Sequence, residues 1–106
     1  MGDRANIIVK QGNNDAPVVL YSHWGATTLI DGLMDEAIAK AQERAGDPHY
    51  FTALLTAVLV DSQVLSGVGT SLDDTSGPIF VIDAITGKRS AQVSEKEALV
   101  IIKGEV

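Results

Sequence analysis

Leu20-Tyr21-Ser22-His23-Trp24-Gly25-Ala26-Thr27-Thr28-Leu29-Ile30-Asp31-Gly32-Leu33 is the stretch in which this chain changes period. Pro17 to His23 is β-branched and aromatic, the composition of a strand. From Leu29 the apolar residues fall at Leu29, Ile30, Leu33, Met34, Ala37, Ile38, Ala41 and Ala45, the spacing of one helical face. Asp35, Glu36, Lys40, Glu43 and Arg44 fill the opposite face. Gly25 breaks the strand, and Thr28 with Asp31 resembles a capping box in which Asp replaces the usual Glu. His23 and Trp24, the chain's one tryptophan, stand at the junction. They are either a corner with chemistry or simply the way a strand turns into a helix.

Working outward, Asn6 to Gln11 is a second short β-branched run, and Gly12-Asn13-Asn14-Asp15 after it is strong turn chemistry. The two runs predict a β-hairpin, with Pro17 at the first residue of the returning strand. Gly46 ends the first helix. Asp47 and Pro48 start a second, because Asp suits the N-cap and Pro the first helical position. Phe51, Leu54, Leu55, Val58 and Leu59 line it to about Asp61. Val64 to Leu72, with two glycines, reads as a strand with a bulge or a close backbone approach. An acidic loop, Asp73 to Pro78, leads into Ile79–Ala84, the strongest strand signal, and Thr86-Gly87 turns it back into Lys88–Val93. Ser94 and Glu97 form a capping box ahead of the β-rich run Ala98–Ile102, so the tail reads as a short final helix with a strand as the alternative.

The order is β-β-α-α-β-β-β plus a tail. Strands cluster in hairpins instead of alternating with helices, which predicts an α+β fold: an antiparallel sheet with two helices packed on one face. The 106 residues are read as one domain with an aliphatic core, since 45% are apolar and only 5% aromatic. The open edges expected around Ile7 to Val9 and Ile79 to Ile82 are apolar, and burying them predicts a homodimer.

The bulk chemistry narrows the classes of function. There is no cysteine, so disulfides, thiolate zinc sites and a cysteine nucleophile are excluded, and a cytoplasmic protein is expected. Met1 to Asn6 carries no apolar segment of a secretory signal behind it, and no run approaches the ~20 apolar residues of a membrane span. The net charge of −6 disfavours a nucleic-acid partner. Nine acids lie between Asp31 and Asp83 against Lys40 and Arg44 alone, which predicts an acidic surface.

Met1-Gly2-Asp3-Arg4-Ala5-Asn6-Ile7 and Leu20-Tyr21-Ser22-His23-Trp24-Gly25 together resemble a family of small proteins of phage genomes and bacterial mobile elements. Those proteins open Met-Gly-x-Arg-Ala-x-Ile and continue Tyr-Leu-(Tyr)-x-His-Trp-x-Gly. Pro78 to Asp83 is similar to their C-terminal strand, the middle of the chain matches only in pattern, and Ala26 stands where many relatives have a second glycine. The resemblance implies a cytoplasmic accessory protein of a mobile element and supplies no catalytic residues.

The remaining candidates are weighed one by one. Trp24 is either the lid of an aliphatic core or one wall of a pocket with Tyr21 and His23, closed by the loop carrying Asp73 and Asp74. The structural reading asks less of the chain and is preferred. His23 has no structural necessity and could act as a base with an acid. A metal site would have to combine His23 or His49 with Asp31, Asp73 or Asp74, but neither histidine has a helical partner at i+4, so none is expected. Gly67-Val68-Gly69-Thr70 lacks the Lys and the following helix of a phosphate loop. No Gly-x-Ser-x-Gly elbow surrounds Ser22, Ser62, Ser66 or Ser71. Asp35-Glu36 and Asp73-Asp74 read as solvated charge, no cofactor is implied, and no residue compels an enzyme. The expected function is therefore a non-enzymatic accessory protein that binds a host or phage protein through its acidic surface. The alternative is a domain that binds a nucleotide or metabolite near Trp24.

Overall fold

The structure is a computed structural model that describes residues 3–12 and 15–103. Strands β1 (Ala5–Lys10) and β2 (Val18–Ser22) form the expected antiparallel hairpin, in register from Ala5 opposite Ser22 to Val9 opposite Val18. Asn13 and Asn14 of the proposed turn lie outside the described residues. Strand β3 (Gly67–Gly69) runs antiparallel to β2, and β4 (Ile79–Asp83) and β5 (Lys88–Arg89) form the second hairpin. The sheet order is β3-β2-β1-β4-β5, and β1 pairs with β4 in parallel.

The fold is thus α+β with a mixed sheet, which corrects the purely antiparallel expectation. It also relocates the supposed edges. Ile7 to Val9 and Ile79 to Ile82 belong to central strands, paired on both sides, so they leave no open edge for a dimer. Their nearly unbroken apolar composition reflects burial on both faces. Ile7, Val9, Leu20, Phe80 and Ile82 point to one face and Ile8, Val19, Ile79 and Val81 to the other, as the two-residue period of a strand requires.

The helices cover both faces, not one. On the first, α1 (Ala26–Thr28) passes through a wide turn, Leu29–Leu33, into α2 (Met34–Ala41). The break falls at Gly32, whose φ of 140° no L-residue adopts comfortably. Helix α3 (Pro48–Asp61) begins after Asp47 with Pro48 first, as expected, although the Asp47 side chain makes no capping bond, and it packs on α2. Met34, Ala37, Ala41, Phe51, Leu55 and Leu59 fill this side of the core. On the second face lies α4 (Glu95–Lys103), which settles the ambiguous tail as a helix. Its capping box is closed reciprocally: the Glu97 amide donates to Ser94 Oγ at 3.1 Å, and the Ser94 amide donates to a Glu97 carboxylate oxygen at 3.2 Å. Ala98 is fully buried against the sheet, with Ile101 and Ile102 partly covered beside it.

The start of α1 is the clearest local departure. Thr28 sits inside the helical segment and caps nothing. The cap comes from outside, where an Asp3 carboxylate oxygen accepts the Thr27 amide at 2.8 Å. Gly25 is needed for space and not for its φ. A Cβ there would meet Ser22 Oγ at 2.6 Å and Val64 Cβ at 2.7 Å. Gly77 is tighter still, since its Cβ would collide with the Arg4 carbonyl oxygen. The Asp73–Pro78 loop is therefore seated directly on the chain entering β1. Gly77→Ala is expected to cost about 1–3 kcal/mol, the range for forcing atoms into a filled site. Urea unfolding should show a lower midpoint with an unchanged slope, and a midpoint equal to that of the parent would contradict this packing.

Candidate functional site

One end of the sheet gathers five of the residues singled out from the sequence, for a topological reason. Strand β1 starts there and β2 ends there. Strand β3, antiparallel to β2, starts there, and so does β4, parallel to β1. The segments leading into or out of these strands converge: Asp3-Arg4, His23-Trp24, Ser66 and Asp73–Pro78.

Asn6 is the buried hub of this end. Its Nδ2 donates to the Asp74 carbonyl at 3.0 Å, and its Oδ1 accepts the Asp73 amide at 3.0 Å. The loop then tightens on itself: the Asp74 amide donates to Asp73 Oδ1 at 2.8 Å, and the Ser76 amide to Asp74 Oδ1 at 2.9 Å. Arg4, two residues before Asn6, projects from the same side of the strand. Its Nη1 donates to the Tyr21 hydroxyl at 2.8 Å and lies 3.1 Å from Asp74 Oδ2. Tyr21 is buried and pairs with Asn6 across the hairpin.

From Tyr21 an aromatic series runs outward. The Tyr21 and His23 rings meet edge to face at 6.4 Å, and the His23 and Trp24 rings are tilted by 59° at 4.3 Å. The backbone here is fixed by Ser66, whose Oγ accepts the His23 amide at 2.9 Å, and by Ser22, whose Oγ accepts the Gly25 amide at 2.8 Å. Trp24 itself is 68% exposed, which corrects its reading as the lid of the core. Gly25 is wedged against Val64 and Ala26 is already helical, so the indole is left on the outside of the turn. A groove of about 720 Å³ lies elsewhere, between α3 and the strands β2 and β3, and Trp24 is not among the residues that line it.

Charge at the corner is balanced locally. The bonds from Ser76 hold the Asp74 carboxyl below the usual aspartate range, and the charges of Arg4 and His23 add to this. Tyr21 and Asp74 in turn raise the Arg4 guanidinium above its ordinary value. With Asp73 turned to a backbone amide and Asp74 occupied by Ser76 and Arg4, the acidic pair is committed to loop geometry. Among the described residues, no three of His, Asp and Glu gather closely enough to hold a metal ion. Also among them, no helix is long and apolar enough to cross a membrane. Neither a protein-family model, nor a curated protein, nor a solved structure matches this chain.

Sequence reasoning named Tyr21, His23, Trp24, Asp73 and Asp74, and the structure brings all five to one corner. It missed Arg4 and Asn6, which join them. The available signal was their two-residue spacing in phase with Ile8 along β1, since a polar pair in phase with an apolar strand face must find partners at its end.

Two outcomes follow from this geometry. Trp24→Ala should change stability by less than about 0.5 kcal/mol, as for an exposed side chain, and the native indole should be quenched freely by acrylamide. The Asp74 carboxyl should titrate below the ordinary value of about 3.9, and Arg4→Met should raise it. Because the folded value is the lower one, this carboxylate supports the fold above the unfolded pKa and loses that effect as pH falls through the folded value. NMR titration of the side-chain carboxyl carbon measures both.

Proposed function

We propose that this protein binds another protein, as a non-enzymatic accessory of a phage or mobile element, with Trp24 anchoring the contact. The observation that carries this reading is an indole 68% exposed on a corner whose backbone and neighbours are held by cross-strand bonds. Exposing a large aromatic costs solvation, and a rigid one loses little entropy when it enters a partner's pocket. Tryptophan is enriched among residues that dominate interface energy.

The acidic surface supplies the rim. Asp3, Asp73 and Asp74 surround Arg4 in sequence or contact, so the border of the corner is acidic and suits a basic margin on the partner. Elsewhere the acidic excess is partly neutralised. Asp35 pairs with Arg89 at 2.6 Å and Glu36 with Lys40 at 3.2 Å, the latter as expected from their i,i+4 spacing. The resemblance to small mobile-element proteins supports an accessory role. A second reading, a flat ring ligand laid on the indole of the tilted His23–Trp24 pair, is favoured only by the exposure of Trp24.

The test compares capture from host lysate by the parent protein and by Trp24→Ala at low and moderate salt. A partner held by the parent, lost from the variant and weakened by salt is the expected result. An empty capture, or one that Trp24→Ala leaves intact, would overturn the reading. Quenching of Trp24 by nucleotides without any captured protein would favour the ring ligand.

A further inference from the structure

The α3–β3 side of the molecule has features that no contact among the described residues explains. Residues 48–72 carry a single charged side chain, Asp61, whereas the other 81 residues carry 21 of the 22 Asp, Glu, Lys and Arg side chains. Helix α3 buries Phe51, Leu55 and Leu59 on the sheet, yet its outer side still presents Ala53, Ala57 and Val60, the last 57% exposed. A helix apolar around most of its circumference belongs between two layers. Beside it runs β3, the edge strand on that flank, with Val68, opposite Leu20, 60% exposed on the face that carries α3. The groove of about 720 Å³ lies between them; Val18, Ala57, Val60 and Val68 form its apolar wall, and His49, Thr56 and Asp61 line it as well.

The opposite edge sets a contrast. Strand β5 consists of Lys88 and Arg89, and charge of that kind blunts an edge against pairing. Strand β3 has no such guard, and no charged residue occurs from Ser62 to Leu72. Gly67 and Gly69 were expected to mark a bulge or a close approach of backbone, yet among the described residues a Cβ on either would have nothing within 4 Å. Their lack of a side chain serves no contact inside this copy.

We propose that this face receives a second copy of the chain, the two β3 strands pairing antiparallel across a two-fold axis and the two α3 helices closing over the seam. An unpaired strand edge needs another strand edge, and a strand paired antiparallel with itself is self-complementary. Charge selects the occupant. Each copy carries −6, so approach through most of the surface sets like charges against each other. The α3–β3 face is the one on which two equally acidic bodies meet with least repulsion. A basic partner would gain nothing by choosing it. This surface differs from the Trp24 contact and stands whether or not that reading does.

Sedimentation of the full chain from about 1 to 100 μM tests the proposal, since that span brackets micromolar dissociation constants. The parent should form a closed dimer that strengthens as salt rises, because salt screens the repulsion between the acidic bodies. Val68→Lys places a charge on the edge and Ala57→Glu places one on the helix. Each should weaken the dimer at least tenfold while circular dichroism and thermal unfolding show the monomer still folded. Trp24→Ala should leave the dimer intact. A parent that stays monomeric to the top of the range, open-ended oligomers, a dimer that weakens with salt, or one indifferent to both Val68→Lys and Ala57→Glu would each overturn the proposal. A dimer abolished by Trp24→Ala alone would move the seam to the other corner and overturn it too.

Discussion

The parallel pairing of β1 with β4, from Asn6 opposite Ile79 to Lys10 opposite Asp83, is the contact on which the remaining architecture depends. A parallel pair cannot be closed by a tight turn, so the chain between its strands has to travel over the sheet. Here that passage carries β2, the α1–α3 segment and β3, and it covers only one face. The other would expose Ile8, Val19, Ile79 and Val81 to water, and α4 is the element that prevents this. The same pairing decides where chemistry can gather. It sets the start of β4 beside the start of β1, which brings the Asp73–Pro78 loop against Asp3 and Arg4.

Once the segments meet, polar satisfaction holds them. Asn6 is buried near the start of β1, just before the apolar run Ile7–Val9, and a buried amide left unpaired costs about 1–3 kcal/mol. Its two bonds to the Asp73–Asp74 backbone remove that cost and fix the loop's height above the sheet. Gly77 fixes the loop's lateral position by having no side chain to keep it off Arg4. Arg4 then ties Tyr21, Asp74 and the strand entry into one unit. Exposure of Trp24 follows as a result of packing and not as an accident of a loose turn. The amides on either side of Trp24 are held by Ser66 and Ser22.

Local chemistry was legible in the sequence, and non-local pairing was only partly so. The Ser94–Glu97 capping box, the Asp47-Pro48 helix start, the Glu36–Lys40 pair and the Thr86-Gly87 turn are all written in adjacent residues, and all four are present. The strand runs were placed to within a few residues, except that the expected Val64–Leu72 strand contracts to Gly67–Gly69 and the expected Lys88–Val93 strand to Lys88–Arg89. The neighbours of each strand were not placed, because hairpin-like clusters do not say which hairpin strand lies beside which. One clue was present: Ile79-Phe80-Val81-Ile82 has no alternation, and an unalternated apolar strand is covered on both faces. Taken at its word, it requires helices on two sides and a central position. The Thr28 cap failed for a related reason. Its place is taken by Asp3, which is remote in sequence and reaches α1 only through the fold.

Trp24 and the α3–β3 face present opposite answers to one electrostatic problem. A chain with a net charge of −6 repels its own kind and attracts basic surfaces, so a contact with a foreign protein gains from placing acids around an apolar anchor. A contact between copies gains from placing none. The sequence sorts its charges in this way: acids flank the corner at Asp3, Asp73 and Asp74, while residues 48–72 contain Asp61 alone. The two surfaces meet at Ser66, which bonds the His23 amide and leads directly into β3. A chain ordered at its β3 edge by a partner copy would therefore also have the backbone under Trp24 held from its far side. In the proposed assembly, packing at the β3 seam would stiffen the backbone beneath Trp24.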